Sequence, residues 1–268
     1  DILQFNEATF VLRQNKCVHY EAPFIYVLFG EHTVFVQDTG ATADADKFPL
    51  YETLQTLITQ WQKSHPSGDL RMLITHSHSH NDHTAADPQF RDKPGVTLIE
   101  PKSQAVRKYF EFSDWPNGSA TVDLGGRELI VFPIPGHHDE SVAVYDPQTQ
   151  WLLSGDTFYP GRLYVKDWNP FRTSIQRLVE FTEKHEVSAL MGTHIEMSNT
   201  PGEAYPAGST YQPDETSLVL TVEDLLSLNK ALKELGTEPQ EKTMPKFIIT
   251  PIGMLQRIVN TIVRWIRD

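Results

Sequence analysis

Four histidines and one aspartate stand close together within residues 76–83. Neutral imidazole and carboxylate groups are ligands that zinc, iron and manganese accept in proteins. Only one register of this segment gives the pattern H-x-H-x-D-H, because a start at His76 would place Asn81 where the carboxylate is required. The residues of that register are His78, His80, Asp82 and His83. The spacing predicts a metal site, with His76 as an additional histidine outside it.

An apolar segment, residues 70–74, precedes the histidines and predicts a strand that ends just before them. On an extended chain, the side chains of residues i and i+2 point to the same side. His78 and His80 can therefore bind one ion, whereas Asp82 and His83, one turn further on, can face a second. The alternative is a solvated histidine-rich loop, but clustered histidine and aspartate at this spacing favour a metal site.

The H-x-H-x-D-H pattern resembles the signature of the metallo-β-lactamase-fold hydrolases. In that family the remaining metal ligands follow further along the chain, each at the end of a strand and in a fixed order. Three segments match them, each after an apolar run: Pro135-Gly136-His137, Ser154-Gly155-Asp156-Thr157 and Gly192-Thr193-His194. Asp38-Thr39-Gly40 resembles the family's early strand-end loop beside the metals, although D-T-G is also an ordinary turn. The resemblance covers residues 20–200.

The resemblance implies a site for two divalent ions, with zinc (Zn²⁺) favoured and iron or manganese as alternatives. Carried over residue by residue, it assigns His78, His80 and His137 to the first ion. It assigns Asp82, His83 and His194 to the second ion. Asp156 bridges both ions, so every ligand expected from the family is present in the sequence.

The resemblance also implies hydrolysis by a hydroxide that bridges the two ions, because adjacent cations lower the pKa of a shared water. Asp82 is the candidate catalytic residue, since it is placed to orient that hydroxide or to take its proton. The expected substrate is a small ester, lactone or thioester. A bridging Asp156 is typical of glyoxalase II and lactonase-like members rather than of true β-lactamases. The candidates for substrate binding are Tyr159, Tyr164 and His138.

Other functions stay open from the sequence. Hydrolysis of β-lactams or phosphodiesters is the alternative within the same chemistry. A di-iron redox enzyme is an alternative from another class, since flavodiiron proteins share the fold, although they have a glutamate where this chain has His80. A metal-binding protein without activity is the third alternative, and the complete ligand set argues against it.

The fold that the resemblance implies is a four-layer αββα sandwich, an α/β fold in which two sheets lie between outer helices. Residues 24–29 and 33–37 agree with this fold because they predict an antiparallel hairpin. A helix follows, since its apolar residues fall at i, i+3, i+4 and i+7: Leu54, Leu57, Ile58 and Trp61. Periodicity alone does not fix the order of the layers, which comes from the family.

We expect one metallo-hydrolase domain over residues 1–268. Residues 199–217 contain several prolines and glycines and predict a long loop, which either walls the active site or is a surface connector. A C-terminal helical segment is predicted over 221–268, beginning with a capping box at Thr221 and Asp224, with Gly236 as the stop signal of its first helix. Within it, Phe247-Ile248-Ile249 predicts a short strand. The last part of the segment has an apolar stripe at helical spacing that is expected to pack on the domain: Leu255, Ile258, Val259, Ile262 and Ile266.

Composition restricts the partners. A chain of 268 residues with 39% hydrophobic content can bury one large core. The formal net charge of -12 argues against nucleic acid, because binding to phosphate backbones relies on clustered lysine and arginine, and it favours a small-molecule substrate. No run reaches the ~20 apolar residues of a membrane span, which predicts a soluble protein. The compartment stays open between the cytoplasm and export with a removed signal peptide, and so does the oligomeric state.

Overall fold

Two six-stranded sheets and one small sheet form the framework of the protein, whose computed structural model describes residues 1–65 and 68–253. In spatial order, the strands of the first sheet are β1 (Ile2–Asn6), β2 (Thr9–Arg13), β3 (Phe24–Phe29), β4 (Thr33–Gln37), β5 (Arg71–Thr75) and β6 (Val96–Leu98). β1 to β4 pair antiparallel, and β4, β5 and β6 pair parallel. The predicted hairpin is confirmed as β3 and β4.

The strands of the second sheet come after those of the first sheet along the chain, and one of them is a short strand from the C-terminal part of the protein. These strands are β7 (Ala120–Asp123), β8 (Glu128–Pro133), β9 (Val142–Asp146), β10 (Trp151–Gly155), then, after β11 (Arg162–Val165), β12 (Ala189–Gly192) and β13 (Val219–Leu220). Their spatial order is β13-β12-β10-β9-β8-β7. β11 belongs to the small sheet with β14 (Lys242–Thr243) and β15 (Ile248–Pro251).

Five α-helices connect or cover the sheets within the described residues. They are α1 (Leu50–Ser64), α2 (Asn81–Thr84), α3 (Ser103–Tyr109), α4 (Trp168–Thr182) and α5 (Val222–Leu235). The helix predicted from the i, i+3, i+4, i+7 pattern is confirmed, since Leu54, Leu57, Ile58 and Trp61 are all buried in α1. The capping box expected at Thr221 and Asp224 is present at the start of α5.

The layer order is visible in the alternation of side chains along β3. Tyr26 and Leu28 pack between the two sheets, whereas Ile25 and Val27 pack against α1. Side chains of a strand alternate between its two faces, so each face of the first sheet serves a different layer. The first sheet is therefore covered by α1 on one side and by the second sheet on the other.

Strand β9 divides its side chains in the same way. Val142 and Val144 lie in the layer between the sheets, and Ala143 and Tyr145 lie with residues of α4 and α5. The second sheet is therefore covered by α4 and α5 on its outer face. The four layers are helix, sheet, sheet and helix, which confirms the expected αββα sandwich.

A buried arginine joins the two sheets. Arg127, in the turn between β7 and β8, donates to both carboxylate oxygens of Asp146, at 3.0 and 2.5 Å. It also donates to the carbonyls of Ala8 at 2.7 Å and Phe29 at 3.2 Å, and to the Thr9 hydroxyl at 2.9 Å. The guanidinium group thus bridges the β1-β2 and β3 ends of the first sheet to the end of β9 in the second.

Residues 199–217 contain no helix, and two isolated bridges flank or enter them, Met197 with Ala204 and Ser198 with Glu215. Glu215 accepts hydrogen bonds from the Arg13 guanidinium at 2.6 and 2.5 Å, which ties this segment to β2. The apolar stripe predicted at 255–266 lies outside the described residues. Among the helices that are described, none is long and apolar enough to cross a membrane.

Candidate metal centre

The histidines and aspartates of the sequence motifs meet at one edge of the sandwich. Each motif follows the end of a strand: residues 76–83 follow β5, His137 follows β8, Asp156 follows β10 and His194 follows β12. β5 belongs to the first sheet and the other three strands to the second. Both sheets therefore contribute donor atoms to the same site.

One cluster of donor atoms, which we call the three-histidine group, consists of His78, His80 and His137. His78 Nε2 and His80 Nδ1 are 2.8 Å apart, and His137 Nε2 lies 3.2 Å from each of them. Asp156 completes this cluster, because its Oδ2 lies 3.8 Å from His78 Nε2 and 3.7 Å from His137 Nε2.

A second cluster, which we call the mixed group, consists of Asp82, His83 and His194. Asp82 Oδ2 is 3.3 Å from Nε2 of both histidines, and the two Nε2 atoms are 3.4 Å apart. Asp156 completes this cluster too, with Oδ2 at 3.5 Å from His83 Nε2 and Oδ1 at 3.5 Å from His194 Nε2. Asp156 is thus the carboxylate that the two groups share.

The donor atoms of both groups fit divalent ions. Four ligands placed about 2.0–2.1 Å from a tetrahedral zinc ion are separated from one another by about 3.3 Å. The mixed group has separations of 3.3–3.5 Å, and the three histidine nitrogens of the other group have separations of 2.8–3.2 Å. Unprotonated nitrogens this close would repel each other through their lone pairs unless a cation or a proton lay between them.

Backbone carbonyls fix the orientation of two of the histidines. His137 Nδ1–H donates to the carbonyl of Tyr164 at 2.8 Å, and His194 Nδ1–H donates to the carbonyl of Glu21 at 3.1 Å. A carbonyl can only accept, so the proton of each neutral ring lies on Nδ1 and the lone pair on Nε2. Both rings are held with Nε2 available for a metal ion.

The Asp38 carboxylate orients two further histidines. Asp38 is buried and accepts from the Ser77 backbone N–H at 2.7 Å, the Ser77 hydroxyl at 3.0 Å and His83 Nδ1–H at 3.0 Å. Ser77 Oγ in turn lies 3.1 Å from His78 Nδ1. The D-T-G segment at the end of β4 was the sequence signal for this residue, but its contacts could not be derived from that signal.

Replacing Asp38 by asparagine is expected to weaken zinc binding about 10- to 100-fold, because partners that orient a ligating histidine contribute to metal affinity by this amount. Asparagine keeps the shape and tolerates the positive φ of 73° at this position. The affinity can be measured by competition with a fluorescent chelator. Asp44→Asn, an exposed change of the same kind, is the control. Equal affinities of the two variants would contradict the role of Asp38.

Burial and mutual repulsion keep the histidines of the three-histidine group uncharged. Burial lowers the pKa of His78 well below its usual value, and the neighbouring His83, His80 and His137 rings lower it further. Burial also lowers the pKa of His137, although Asp156 opposes that change. These rings are therefore neutral near pH 7, which is the form that binds metal ions.

Two carboxylates determine the charge state of the histidines in the mixed group. Burial opposes charge on His83 and His194, but Asp82 and Asp156 outweigh it, holding the pKa of His83 well above its usual value and raising that of His194 to about 9. Burial would also raise the pKa of Asp82 and Asp156, yet the adjacent imidazoles hold both well below the usual range. The group thus contains two ionised carboxylates in a buried place, and positive charge is stabilised there.

Two glycines allow the ligand loops to pack closely. Gly155, just before Asp156, has a φ of 54°, and a Cβ there would lie 2.7 Å from Ser77 Cβ. Gly136, just before His137, has a φ of 138°, and a Cβ there would overlap the backbone of Phe171 in α4. Glycine adopts such conformations without steric cost, so these two positions let the strand-end turns bring their ligands inward.

His76 and His138 lie near the two groups without belonging to either. The Nε2 atom of His76 is 2.9 Å from Asp87 Oδ1, away from the donor clusters, in agreement with its interpretation as an additional histidine. His138 is buried, its ring centroid lies 4.9 Å from that of His80, and its Nδ1 is 2.7 Å from Glu140 Oε2. His138 therefore borders the three-histidine group.

The two candidate tyrosines are placed differently. The Tyr159 hydroxyl lies 2.5 Å from the Arg162 carbonyl and 3.1 Å from Glu196 Oε2, so it is engaged within the protein. Tyr164 contributes its backbone carbonyl to His137. Partial burial together with Glu196 raises the pKa of the Tyr164 hydroxyl to about 12, which keeps it protonated.

Comparison with known proteins gives a family match over most of the chain. The profile of the metallo-β-lactamase superfamily matches residues 21–231. A hydroxyacylglutathione hydrolase of Rhizobium meliloti is 29% identical over 153 residues, which is 53% of this chain and 53% of the relative. The human acyl-coenzyme A thioesterase MBLAC2 is 24% identical over 206 residues, which is 64% of this chain and 72% of the relative. The chain thus spans about half the length of the first of these relatives.

Solved structures with the same fold cover nearly the whole chain. A metallo-β-lactamase from Pontibacter korlensis superposes with a TM-score of 0.58 at 16% identity, covering 87% of this chain and 98% of that one. An archaeal protein of the same superfamily from Sulfolobus tokodaii superposes with a TM-score of 0.52 at 13% identity, covering 95% and 94%. At these identities the similarity shows the fold alone.

Proposed function

The chain belongs to the metallo-β-lactamase superfamily, and from this we propose that it is a hydrolase with two divalent metal ions that cleaves thioesters of small acids. The observation that carries the proposal is the pair of donor groups joined by Asp156. Zinc is the favoured ion, because all donors are imidazole nitrogens or carboxylate oxygens at separations that suit it.

The choice of thioesters within the wider class of esters and lactones is supported by the relatives. One is named for acylated glutathione and another for acyl-coenzyme A. Both names describe an acyl group joined to the sulfur of a large thiol. The family resemblance points the same way, since a bridging aspartate at the position of Asp156 is typical of glyoxalase II and lactonase-like members rather than of true β-lactamases.

When bound, the two cations would supply Lewis-acid chemistry, lowering the pKa of a water and polarising the thioester carbonyl. We assign the metal ligands to His78, His80 and His137 for one ion, to Asp82, His83 and His194 for the other, and to Asp156 for both. The carbonyls of Tyr164 and Glu21 and the Asp38 carboxylate keep the ligating rings in one tautomer.

Asp82 is the proposed catalytic carboxylate, which orients the attacking water or takes its proton. Its side chain is 22% exposed, whereas that of Asp156, the other carboxylate in the two groups, is 9% exposed, so water can reach Asp82. The adjacent His83 and His194 keep its pKa low, and the carboxylate is therefore ionised at neutral pH and able to accept a hydrogen bond from the attacking water and orient it. Hydrolysis then gives the free acid and the free thiol, with the thiol leaving as water adds to the acyl carbon.

The proposal is tested with zinc-loaded protein and a substrate panel of acyl thioesters, an oxygen ester, a lactone, a β-lactam and a phosphodiester. We expect kcat/KM for the thioesters to exceed that for the β-lactam and the phosphodiester at least about tenfold, which is about 1.4 kcal/mol in transition-state stabilisation. Thiol release and hydrolysis of the chromogenic substrates are followed by absorbance. No turnover of any thioester by protein with full metal content would refute the proposal.

A further inference from the structure

A cleft of about 700 Å³ lies beside the candidate metal centre. Its lining includes Gly136 and Glu140, which belong to the loop that carries His137 and His138. Glu140 Oε2 is 2.7 Å from His138 Nδ1, and the His138 ring lies 4.9 Å from the His80 ring. The side chains of Glu140 and His138 therefore connect the lining of the cleft to the three-histidine group.

The lining also includes Ser103 and Arg107 of α3 and residues 115–117. Arg107 of α3 is exposed, and its guanidinium carbon lies 4.6 Å from the ring centroid of Trp115. Pro116, Pro133 and Pro170 add apolar surface. An arginine stacked on an aromatic ring keeps its N–H groups free to donate in the ring plane, and less of its conformational freedom remains to be lost on binding an anion.

The charges around the cleft leave Arg107 without a carboxylate partner. Lys166 lies 3.0 Å from Asp139 and 3.9 Å from Asp167, and Glu140 pairs with His138. Arg177, the second arginine of the lining, donates to backbone carbonyls of residues 116–118 and 133. Within the described part of the chain, Arg107 makes no salt bridge, so its guanidinium group is available for a ligand.

Small-molecule sites combine an apolar surface with a few placed polar groups, and a free guanidinium selects carboxylate or phosphate. We propose that this cleft binds the thiol part of the substrate and that Arg107 selects thioesters whose thiol carries an anionic group. The inference rests on the proposed function. The anion is either a carboxylate, as in glutathione, or a phosphate, as in coenzyme A, and the experiment separates the two.

The test compares three acetyl thioesters: those of coenzyme A, of glutathione and of the neutral thiol N-acetylcysteamine. Arg107→Gln is expected to lower kcat/KM about tenfold or more for at least one charged thioester, because charge-assisted hydrogen bonds are lost. The neutral thioester should keep its kcat/KM within about twofold. The charged substrate that loses more identifies the anion, and Arg107→Lys should retain most of the activity on it.

Lys108→Gln is the matched control, since Lys108 is the next residue of α3, is exposed and does not line the cleft. It should leave all three values unchanged. An equal loss on the neutral and charged thioesters in Arg107→Gln, or no loss on any of them, would overturn the inference.

Binding of the non-hydrolysable thioethers S-propyl-coenzyme A and S-propylglutathione, measured by calorimetry, tests the cleft without turnover. If the wild-type protein hydrolyses no thioester, the proposed function fails. The cleft is then still supported if Arg107→Gln weakens binding of one thioether about tenfold. It is overturned if both proteins bind the thioethers equally or if neither binds them.

Discussion

Asp156→Asn is expected to lower kcat/KM for thioesters at least about a thousandfold, bringing the activity close to that of wild-type protein stripped with a chelator. In the proposed mechanism the two metal ions stabilise the transition state by several kcal/mol, and each 1.36 kcal/mol corresponds to a tenfold change in rate. Asp156 Oδ2 lies within 3.5–3.8 Å of imidazole nitrogens from His78, His83 and His137. Removal of its charge therefore weakens both ion sites together.

The measurement is kcat/KM at saturating zinc, with metal content determined by elemental analysis on the same samples. Asp46→Asn, an exposed change that also removes one carboxylate, serves as the control and should keep full activity and two equivalents of metal. If Asp156→Asn held two equivalents of zinc and retained a tenth of the wild-type activity, the shared carboxylate would not have the role assigned to it.

Arg127→Met is expected to destabilise the fold by about 3–5 kcal/mol, since removal of one partner leaves the buried Asp146 carboxylate without compensation. Both side chains are 1% exposed. The substitution also removes the hydrogen bonds from Arg127 to the carbonyls of Ala8 and Phe29. For a protein of this size, we expect the melting temperature to fall by roughly 6–20 °C, measured by circular dichroism.

The effect of Arg127→Met should depend on pH. Burial would raise the pKa of Asp146, but Arg127 lowers it below its usual value. A carboxyl group with a lowered folded-state pKa contributes stability above its unfolded-state pKa, and this contribution is lost as the pH falls. The difference from wild type should therefore narrow in acid. Arg91→Met, which removes an exposed arginine paired with Glu100 at 3.5 Å, is the control and should change stability little. A similar melting temperature for both variants would contradict the bridging role.

The residues of the candidate site were accessible from sequence because each stands in a short motif directly after an apolar strand. His78, His137 and His194 are examples, and the structure brings all three to one edge. Strands that run in the same direction end at the same edge of a sheet, as β8, β10 and β12 do here. That these motifs meet in one site was expected from the family resemblance, because the pattern of apolar residues alone does not fix strand directions.

Contacts between distant segments were not accessible in this way. The link from Asp38 to Ser77 and His83 depends on how the β4 and β5 ends pack, and the five donors of Arg127 find partners from three separate segments. Strands β1 and β2 were also missed. Every residue of β1 is exposed, and its apolar residues do not alternate with polar ones as those of a half-buried strand would.

The division of donor atoms between the sheets couples ion occupancy to the integrity of the whole sandwich. His78 and His83 follow the first sheet, and His137 and His194 follow the second. The residues that follow one sheet do not by themselves form a full coordination sphere, so strong ion binding requires that the two sheets be packed together. By thermodynamic linkage, the free energy of ion binding at the proposed sites would oppose separation of the two sheets and so stabilise the folded protein.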